Sequence, residues 1–129
     1  MNVLDENILE SQRQLLRGWR IPIRQIGFEL CDKGTQDEEI IPFLLTVSQP
    51  TLFTRDLGFY DRRFRHERYC LAILAVGQYE AAHFIRRFLN HRDFNTRAKR
   101  MGTVVRAMQT GLVGWRLHAH QEFQIQWSA

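Results

Sequence analysis

Residues 51–61, Thr51-Leu-Phe-Thr-Arg-Asp-Leu-Gly-Phe-Tyr-Asp61, contain the pattern that decides the fold. An apolar run through Leu52 and Phe53 ends at Asp56, and Gly58 follows where the chain can turn. This pattern predicts a buried strand that ends in a carboxylate. In open parallel α/β sheets, ligands bind beyond the carboxyl ends of the strands, so an acid there is placed for chemistry. The alternative is that Asp56 only caps the next turn.

Two earlier stretches also end or begin with an acid. Asn2-Val3-Leu4 reads as a short strand that runs into Asp5, and helical spacing follows from Ile8 to Trp19, so the chain opens with a βα unit. A second strand is predicted over 22–28. Asp37 precedes a helix predicted over 38–45, where acids also suit the positive end of the helix dipole.

The second half of the chain predicts one more buried strand and further helices. Tyr69 to Val76 is uncharged and rich in apolar residues, which is typical of a strand in a parallel sheet that is covered on both faces. Helices are predicted over 78–90 and from a cap at Asn95 or Thr96 to Met108. In the latter helix the basic side chains should face solvent: Arg97, Lys99, Arg100 and Arg106. The alternating tail 114–127 predicts a strand or hairpin at the end of the sheet.

The composition predicts one domain that spans residues 1–129. The chain is 44% hydrophobic, which suits a single core. No apolar run is long enough to cross a bilayer and no export signal is visible, so we expect no membrane partner and a cytoplasmic location. Cys31 and Cys70 lie far apart in sequence and are expected to be free thiols, with Cys70 buried.

Charge is distributed unevenly along the chain. Residues 1–61 hold 6 basic and 10 acidic side chains, whereas residues 62–129 hold 12 and 4, for a total of +4. A basic second half suits a polyanion such as RNA. The candidate RNA-binding residues cluster around the central acidic stretch: Arg55, Arg62, Arg63, Arg65 and Arg68. For any single arginine, a solvated surface position is the alternative.

The repeated acids predict a metal site. Several carboxylates without Cys or His favour Mg²⁺ or Mn²⁺ over zinc, and such an ion can activate water against a phosphodiester. Mutually repelling carboxylates are hard to explain by stability alone. His118 and His120, two apart in the predicted tail strand, would share a face, but a zinc site would need further ligands.

Three motifs in order give the chain a resemblance to a known family. Leu4-Asp5-Glu6-Asn7, Asp37-Glu38-Glu39-Ile40 and Leu52-Phe53-Thr54-Arg55-Asp56-Leu57-Gly58-Phe59 resemble the PIN-like nucleases, in particular the small prokaryotic branch with an LDEN start and a T-x-D-x-D-F third motif. The resemblance covers the first half of the chain. It implies a three-layer α/β/α fold with a mainly parallel sheet, and metal-dependent ribonuclease chemistry like that of VapC-type toxins, which pair with antitoxins. A homo-oligomer is compatible with it.

The resemblance also implies roles for individual acids. Asp5, Asp37 and Asp56 would be the catalytic, metal-binding residues, with Glu6, Glu38 and Glu39 as helpers. The third motif departs from the family pattern, because Gly58 stands where a second acid is usual. Either Asp61 replaces that acid or one ligand is missing and the activity is weak or absent. Gly58 could also be required for a positive φ. Two functions stay open: a Mg²⁺- or Mn²⁺-dependent endoribonuclease, and a degenerate PIN-like module that binds protein or nucleic acid without cutting.

Overall fold

A computed structural model describes residues 1–127 and shows an α/β fold built on one mostly parallel seven-stranded sheet. The strand order is β2-β1-β3-β4-β5-β6-β7. The strands are β1 (Asn2–Leu4), β2 (Arg24–Gln25), β3 (Thr51–Thr54), β4 (Cys70–Leu74), β5 (Val104–Ala107), β6 (Gly111–Trp115) and β7 (Phe123–Gln126). The helices are α1 (Glu10–Gly18), α2 (Asp37–Leu44), α3 (Ala81–Leu89) and α4 (Arg97–Arg100), and two short 3₁₀ turns cover Leu57–Phe59 and Arg62–Phe64.

The first five strands are parallel, and the last two add an antiparallel meander at the β5 edge. β1 pairs with β2 and β3, β3 with β4, and β4 with β5, all in parallel register. β6 and β7 then pair antiparallel in turn. The predicted buried strands at 51–54 and 69–76 are confirmed, since every residue of β3 and β4 is buried. The C-terminal hairpin is confirmed as well, and it begins at Gly111.

Both faces of the sheet are covered. Alternate residues of the central strands belong to two separate apolar clusters, as a buried parallel sheet requires. One cluster joins Phe53 and Leu74 to α1 and α3 through Leu16 and Phe84. The other joins Leu52 to α2 through Ile40 and Leu44, among others. Both faces of the central strands are thus part of the core, which fixes the backbone from which the acids project.

The helix α3 shows how the apolar spacing sets the packing. Its buried residues recur at helical spacing: Ala81, Ala82, Phe84, Ile85 and Phe88. The buried side chain of Gln12 in α1 accepts a hydrogen bond from the Ala82 backbone N–H at 3.0 Å, which satisfies one of the free amides of the first turn. Tyr79 precedes α3 and is 71% exposed, so the helix predicted over 78–90 begins three residues later than expected.

Two predicted elements differ from the observed ones. The strand expected over 22–28 is reduced to Arg24–Gln25, because Gly27 adopts a φ of 85° and turns the chain, and Phe28 is 49% exposed. The helix expected from Asn95 or Thr96 to Met108 ends at Arg100. There Gly102 adopts a φ of 85° and the chain continues as the strand β5. The predicted cap at Thr96 is confirmed by its 3.2 Å hydrogen bond from the Lys99 amide.

Arg100 was expected to face solvent and is instead buried. Its guanidinium donates to the Thr51 hydroxyl at 3.0 Å and to the Phe94 carbonyl at 2.8 Å, so its polar atoms are satisfied inside the protein. The two cysteines are free and Cys70 is buried, as predicted, whereas Cys31 is exposed. No helix in residues 1–127 has the length and apolar character needed to span a bilayer.

Candidate active site

The candidate site lies where two neighbouring strands send the chain in opposite directions. β1 leads to β2 on one side, whereas its other neighbour β3 leads to β4 on the far side. Such a switch point leaves a crevice outside the carboxyl ends of the two strands, which is the usual ligand site of open α/β sheets. Asp5 directly follows β1, and Asp56 follows β3 by two residues.

Asp5 is held rigidly in this crevice. It is 8% exposed, and its backbone N–H donates to the Phe53 carbonyl at 2.9 Å. One carboxylate oxygen accepts from the Glu6 backbone N–H at 2.8 Å, and the other accepts from the Thr54 hydroxyl at 2.6 Å. A carboxylate buried this deeply needs such donors, because an unpaired buried charge is strongly unfavourable.

Thr54 connects the two strand-end acids, and the sequence analysis did not assign it to the site. Its buried hydroxyl donates to Asp5 and accepts from the Asp56 backbone N–H at 3.0 Å. The hydroxyl therefore fixes the carboxylate of one acid and the backbone of the other. Its position as the last residue of β3, two before Asp56, was the available signal.

Asp56 also has the capping role that was the alternative interpretation. Its Oδ1 accepts from the Gly58 backbone N–H at 2.8 Å and caps the 3₁₀ turn Leu57–Phe59. The side chain is nevertheless exposed at the crevice, where it lines the same cavity as Asp37. Capping and membership of an acid cluster thus coexist in one residue.

Asp37 is the first residue of α2 and completes the group. Partial burial raises the pKa of Asp37 above its ordinary value, as do a hydrogen bond with the Asp56 carboxyl and the negative charges of Asp56, Asp5 and Glu38. Asp37 and Asp56 are called the acid pair below. The structure brings the three predicted acids together from segments that are far apart in sequence.

The predicted helper acids have different surroundings. Glu38 lines the same cavity as the acid pair. Glu6 turns away into the loop before α2, where Oε1 accepts from the Gly34 backbone N–H at 2.8 Å. Glu39 is exposed in the first turn of α2, and its charge affects the pKa of Cys31. Partial desolvation raises the pKa of the Cys31 thiol, and the charges of Asp32 and Glu39 raise it further.

Asp61, the candidate replacement for the missing acid, is paired with an arginine. Its Oδ1 accepts from the Arg63 backbone N–H at 2.8 Å, and its Oδ2 lies 2.7 Å from the Arg63 guanidinium. The side-chain and backbone hydrogen bonds from Arg63 lower the pKa of Asp61 to about 2. The positive-φ glycines of the chain are Gly27, Gly34, Gly102 and Gly111, so the idea that Gly58 serves a positive φ was wrong.

Most of the predicted RNA-binding arginines contact their own chain. Arg55 donates to the Val76 carbonyl at 3.0 Å, and Arg65 donates to the carbonyls of Arg116 and Ala119 at 2.9 and 2.8 Å. The guanidinium groups of Arg62 and Arg65 lie 5.5 and 5.6 Å from the centre of the Trp115 ring. Arg63 holds Asp61, and Arg68 is exposed.

A cavity of about 550 Å³ opens beside the acid pair. Its wall is largely apolar and is formed by Ile41, Pro42, Phe59 and Phe64 together with Gly58 and the acids. Pro42 lies in the second turn of α2, where its ring faces this cavity and exposes an apolar surface. An apolar cavity with a few convergent polar groups is the common form of a small-ligand site.

The donor chemistry of the site is that of a hard cation. The three acids offer only oxygen, which suits Mg²⁺ or Mn²⁺. Within residues 1–127, no three His, Cys, Asp or Glu side chains form a ready-made metal cluster. His118 and His120 lie in the connection between β6 and β7, so the expectation that they share a strand face was wrong.

Comparison of the chain with protein-family models, with curated proteins and with solved structures found no match.

Proposed function

We propose that this protein is a Mg²⁺- or Mn²⁺-dependent endoribonuclease of the PIN-like type. The observation that carries the proposal is the acid pair, whose two side chains line one cavity. The charges of Asp56 and Asp5 add to partial burial in raising the pKa of Asp37. Like charges that lie close together disfavour each other's ionised form. A divalent cation bound there would relieve the repulsion that raises the pKa of Asp37.

The roles of the residues follow from their positions. Asp5, Asp37 and Asp56 would hold the ion, which when bound would lower the pKa of a water and neutralise charge on a phosphodiester. Thr54 orients the Asp5 carboxylate by donating a hydrogen bond to it. The apolar wall at Pro42 and Phe64 excludes water on one side of the acid pair and offers a surface to a sugar or base.

The assignment of a PIN-like three-layer fold is part of the same proposal. A PIN-like three-layer arrangement is supported by acids at the carboxyl edge of a mostly parallel sheet and by helices that contribute to the core on both of its faces. The resemblance to VapC-type toxins extends the proposal to an antitoxin partner and to action in the cytoplasm, with self-association as a further possibility. A small DNA-binding protein encoded next to this chain, and its ability to suppress cleavage, would test the antitoxin partner.

A second candidate function is a PIN-like module that binds without cutting. Two observations favour it: Gly58 replaces the usual fourth acid, and Asp61 is engaged by Arg63. In that case the acid pair would bind a cation weakly or not at all, and the fold would serve recognition of RNA or protein.

Titration calorimetry with Mn²⁺ and cleavage of a labelled RNA separate the two functions. The nuclease proposal expects wild type to bind Mn²⁺ and to cleave, and expects Asp37→Asn and Asp56→Asn each to lose both. Glu67→Gln, an exposed acid near the start of β4, is the matched control and should retain both. Metal binding that is the same in wild type and Asp56→Asn would refute the metal site. Weak or absent Mn²⁺ binding by wild type, with no cleavage, would favour the non-cutting module.

A further inference from the structure

A basic cavity opens at the amino edge of the parallel strands, opposite the acid pair. Asn2 and Arg24, the first residues of β1 and β2, contribute to its wall, and Arg100 bonds to Thr51 at the start of β3. The volume of the cavity is about 240 Å³. Its lining includes three arginines, Arg24, Arg97 and Arg100, and within residues 1–127 no acidic side chain belongs to it. This space is called the amino-edge cavity below.

Arg100 is a buried cation whose hydrogen bonds go to neutral groups. It is 6% exposed, and its Nε donates to the Thr51 hydroxyl at 3.0 Å while its Nη1 donates to the Phe94 carbonyl at 2.8 Å. Its third nitrogen, Nη2, donates no hydrogen bond within residues 1–127 and is not enclosed by protein, so it is accessible from the cavity that Arg100 lines. A buried charge is costly without an opposite charge beside it, and the cavity is where an anion could supply one.

The other two arginines of the cavity also lack an acidic partner. Arg24 and Arg97 are exposed, and within residues 1–127 neither they nor Arg100 forms an ion pair with a carboxylate. Burial lowers the pKa of Arg100, and the like charge of Arg97 lowers it further, so these two guanidinium groups lie close enough to repel each other.

The thiol of Cys70 is near enough to affect Arg100 but does not supply the missing negative charge. Only a thiolate would stabilise the guanidinium, and burial raises the pKa of Cys70 to about 12. The thiol is therefore neutral at physiological pH. For an exposed arginine alone, a solvated surface position would be the ordinary account. The buried Arg100, which shares its cavity with two further cations, is what distinguishes this site.

A doubly charged oxyanion suits this cavity better than a carboxylate. A guanidinium presents its N–H groups in a planar fork that matches phosphate oxygens, and two negative charges offset the repulsion among three arginines more fully than one. At ~30 Å³ per water, the cavity has room for about eight waters, so a phosphate and a few attached atoms can enter. Pro22 and Ile23 in the lining offer apolar contact to those atoms.

We propose that the amino-edge cavity binds a phosphate group, either inorganic phosphate or the terminal phosphate of a small phosphomonoester. Arg100 Nη2 donates to the phosphate from the buried side, and the exposed Arg24 and Arg97 add positive charge from the solvent side. Thr51 and Phe94 already hold the Arg100 side chain, so little side-chain entropy is lost on binding. The cavity and the acid pair lie at opposite edges of the sheet, and the proposal does not depend on nuclease chemistry.

The test is titration calorimetry with inorganic phosphate at constant ionic strength, in EDTA so that no divalent ion occupies the acid pair. Wild type should bind phosphate saturably at one site. Arg97→Gln should bind about fivefold more weakly, the upper range for a solvent-exposed charge pair. Arg100→Lys keeps the buried charge but loses the fork, and should bind about tenfold more weakly. Arg92→Gln removes an exposed charge outside the cavity and is the matched control, with the affinity of wild type.

Two further measurements sharpen the test. Ribose 5-phosphate, titrated in the same way, distinguishes the sources of the phosphate group: tighter binding than inorganic phosphate assigns a phosphomonoester, and equal or weaker binding assigns the free ion. Melting temperatures without phosphate check the fold of each variant. Arg97→Gln should then be at least as stable as wild type, because it removes a like charge beside Arg100.

Three results would overturn the proposal. One is the absence of saturable binding of either phosphate compound to wild type at millimolar concentrations. Another is equal phosphate affinity in wild type and Arg97→Gln at an unchanged melting temperature, which would leave the exposed arginines as solvated surface. The third is equal affinity of wild type for acetate and phosphate, which would show that the cavity does not select a doubly charged anion.

Discussion

Replacing Thr54 by Val tests whether the hydroxyl of this residue holds the candidate site together. Valine keeps the branched shape that suits the strand and removes only the polar group. The change deletes the 2.6 Å hydrogen bond to the buried Asp5 carboxylate and the acceptor for the Asp56 backbone N–H at 3.0 Å. Asp5 would remain 8% exposed with one donor, the Glu6 amide.

The expected cost follows from these contacts. A hydrogen bond to a charged group contributes about 1.5–3 kcal/mol, and its loss leaves Asp5 with a buried oxygen that water cannot easily reach. We expect Thr54→Val to lower the free energy of unfolding by about 2–3 kcal/mol. For a chain of this size, at roughly 4 °C per kcal/mol, the melting temperature should fall by about 8–12 °C.

Thermal unfolding followed by circular dichroism at pH 7 measures this cost, and Thr54→Ser is the matched control. Serine keeps the hydroxyl and loses one methyl group, so it should cost about 1 kcal/mol. Mn²⁺ affinity should fall in the valine variant and persist in the serine variant. Equal melting temperatures for Thr54→Val and wild type would show that the hydroxyl does not stabilise Asp5, and the role assigned to Thr54 would be refuted.

Three further predictions concern the acids. Because the pKa of Asp37 is raised in the folded protein, its proton stabilises the fold at low pH, and that contribution is lost as pH rises through the raised pKa. Without divalent ions, the melting temperature of Asp37→Asn minus that of wild type should therefore increase between pH 4 and 8. A constant difference over this range would contradict the prediction. Asp61→Asn should leave Mn²⁺ affinity and cleavage unchanged because Arg63 holds that carboxylate, and a tenfold loss of either would show that Asp61 reaches the metal. Gly58→Asp should raise Mn²⁺ affinity, since it adds a carboxylate next to Asp56 at a position whose backbone φ is not positive. A Cβ there would lie 3.1 Å from Asp56 Oδ1, so Gly58→Ala, compared by calorimetry and melting temperature, separates the added charge from crowding; equal affinities in the two variants would contradict the prediction.

The central strands could be predicted because consecutive apolar residues indicate a strand that is buried on both faces. Leu52 and Phe53, and the uncharged run from Cys70 to Leu74, are buried on both faces, so no polar residue interrupts them. An acid directly after such a strand can only lie at the carboxyl edge. The neighbourhood of Asp5 and Asp56 therefore follows from the pattern once the strands are parallel.

The region from Asn95 to Met108 was not predictable from helical spacing. Met101, Val104, Val105 and Met108 fit a helix face, but Gly102 and the β-branched pair Val104-Val105 turn the chain into β5. The pairing of β5 with β4 decides the outcome, and this tertiary contact has no local signature. Arg100 was misplaced for the same reason, because its partners Thr51 and Phe94 are identified only by the fold.

The residues of the candidate site also differ in whether the sequence alone predicts them. Carboxylates at strand ends carry a local signal, whereas the Asp61–Arg63 pair depends on side-chain directions in a short turn. The Arg86 guanidinium lies over the Trp19 ring only because α3 packs on α1. No spacing rule connects those two residues.

The mixed sheet has a consequence for the order in which the strands of this protein form during folding. The β5–β6 hairpin closes over Ala107 and Leu112, a very short loop, whereas the contact between Asp5 and Thr54 closes a loop of 49 residues. Closing longer loops costs more chain entropy, and non-local parallel pairing is slow. We expect pulsed hydrogen exchange during refolding to protect the β5–β6 amides before the Asp5 amide. A chain interrupted early in folding would then keep its three acids apart and leave the candidate site unformed.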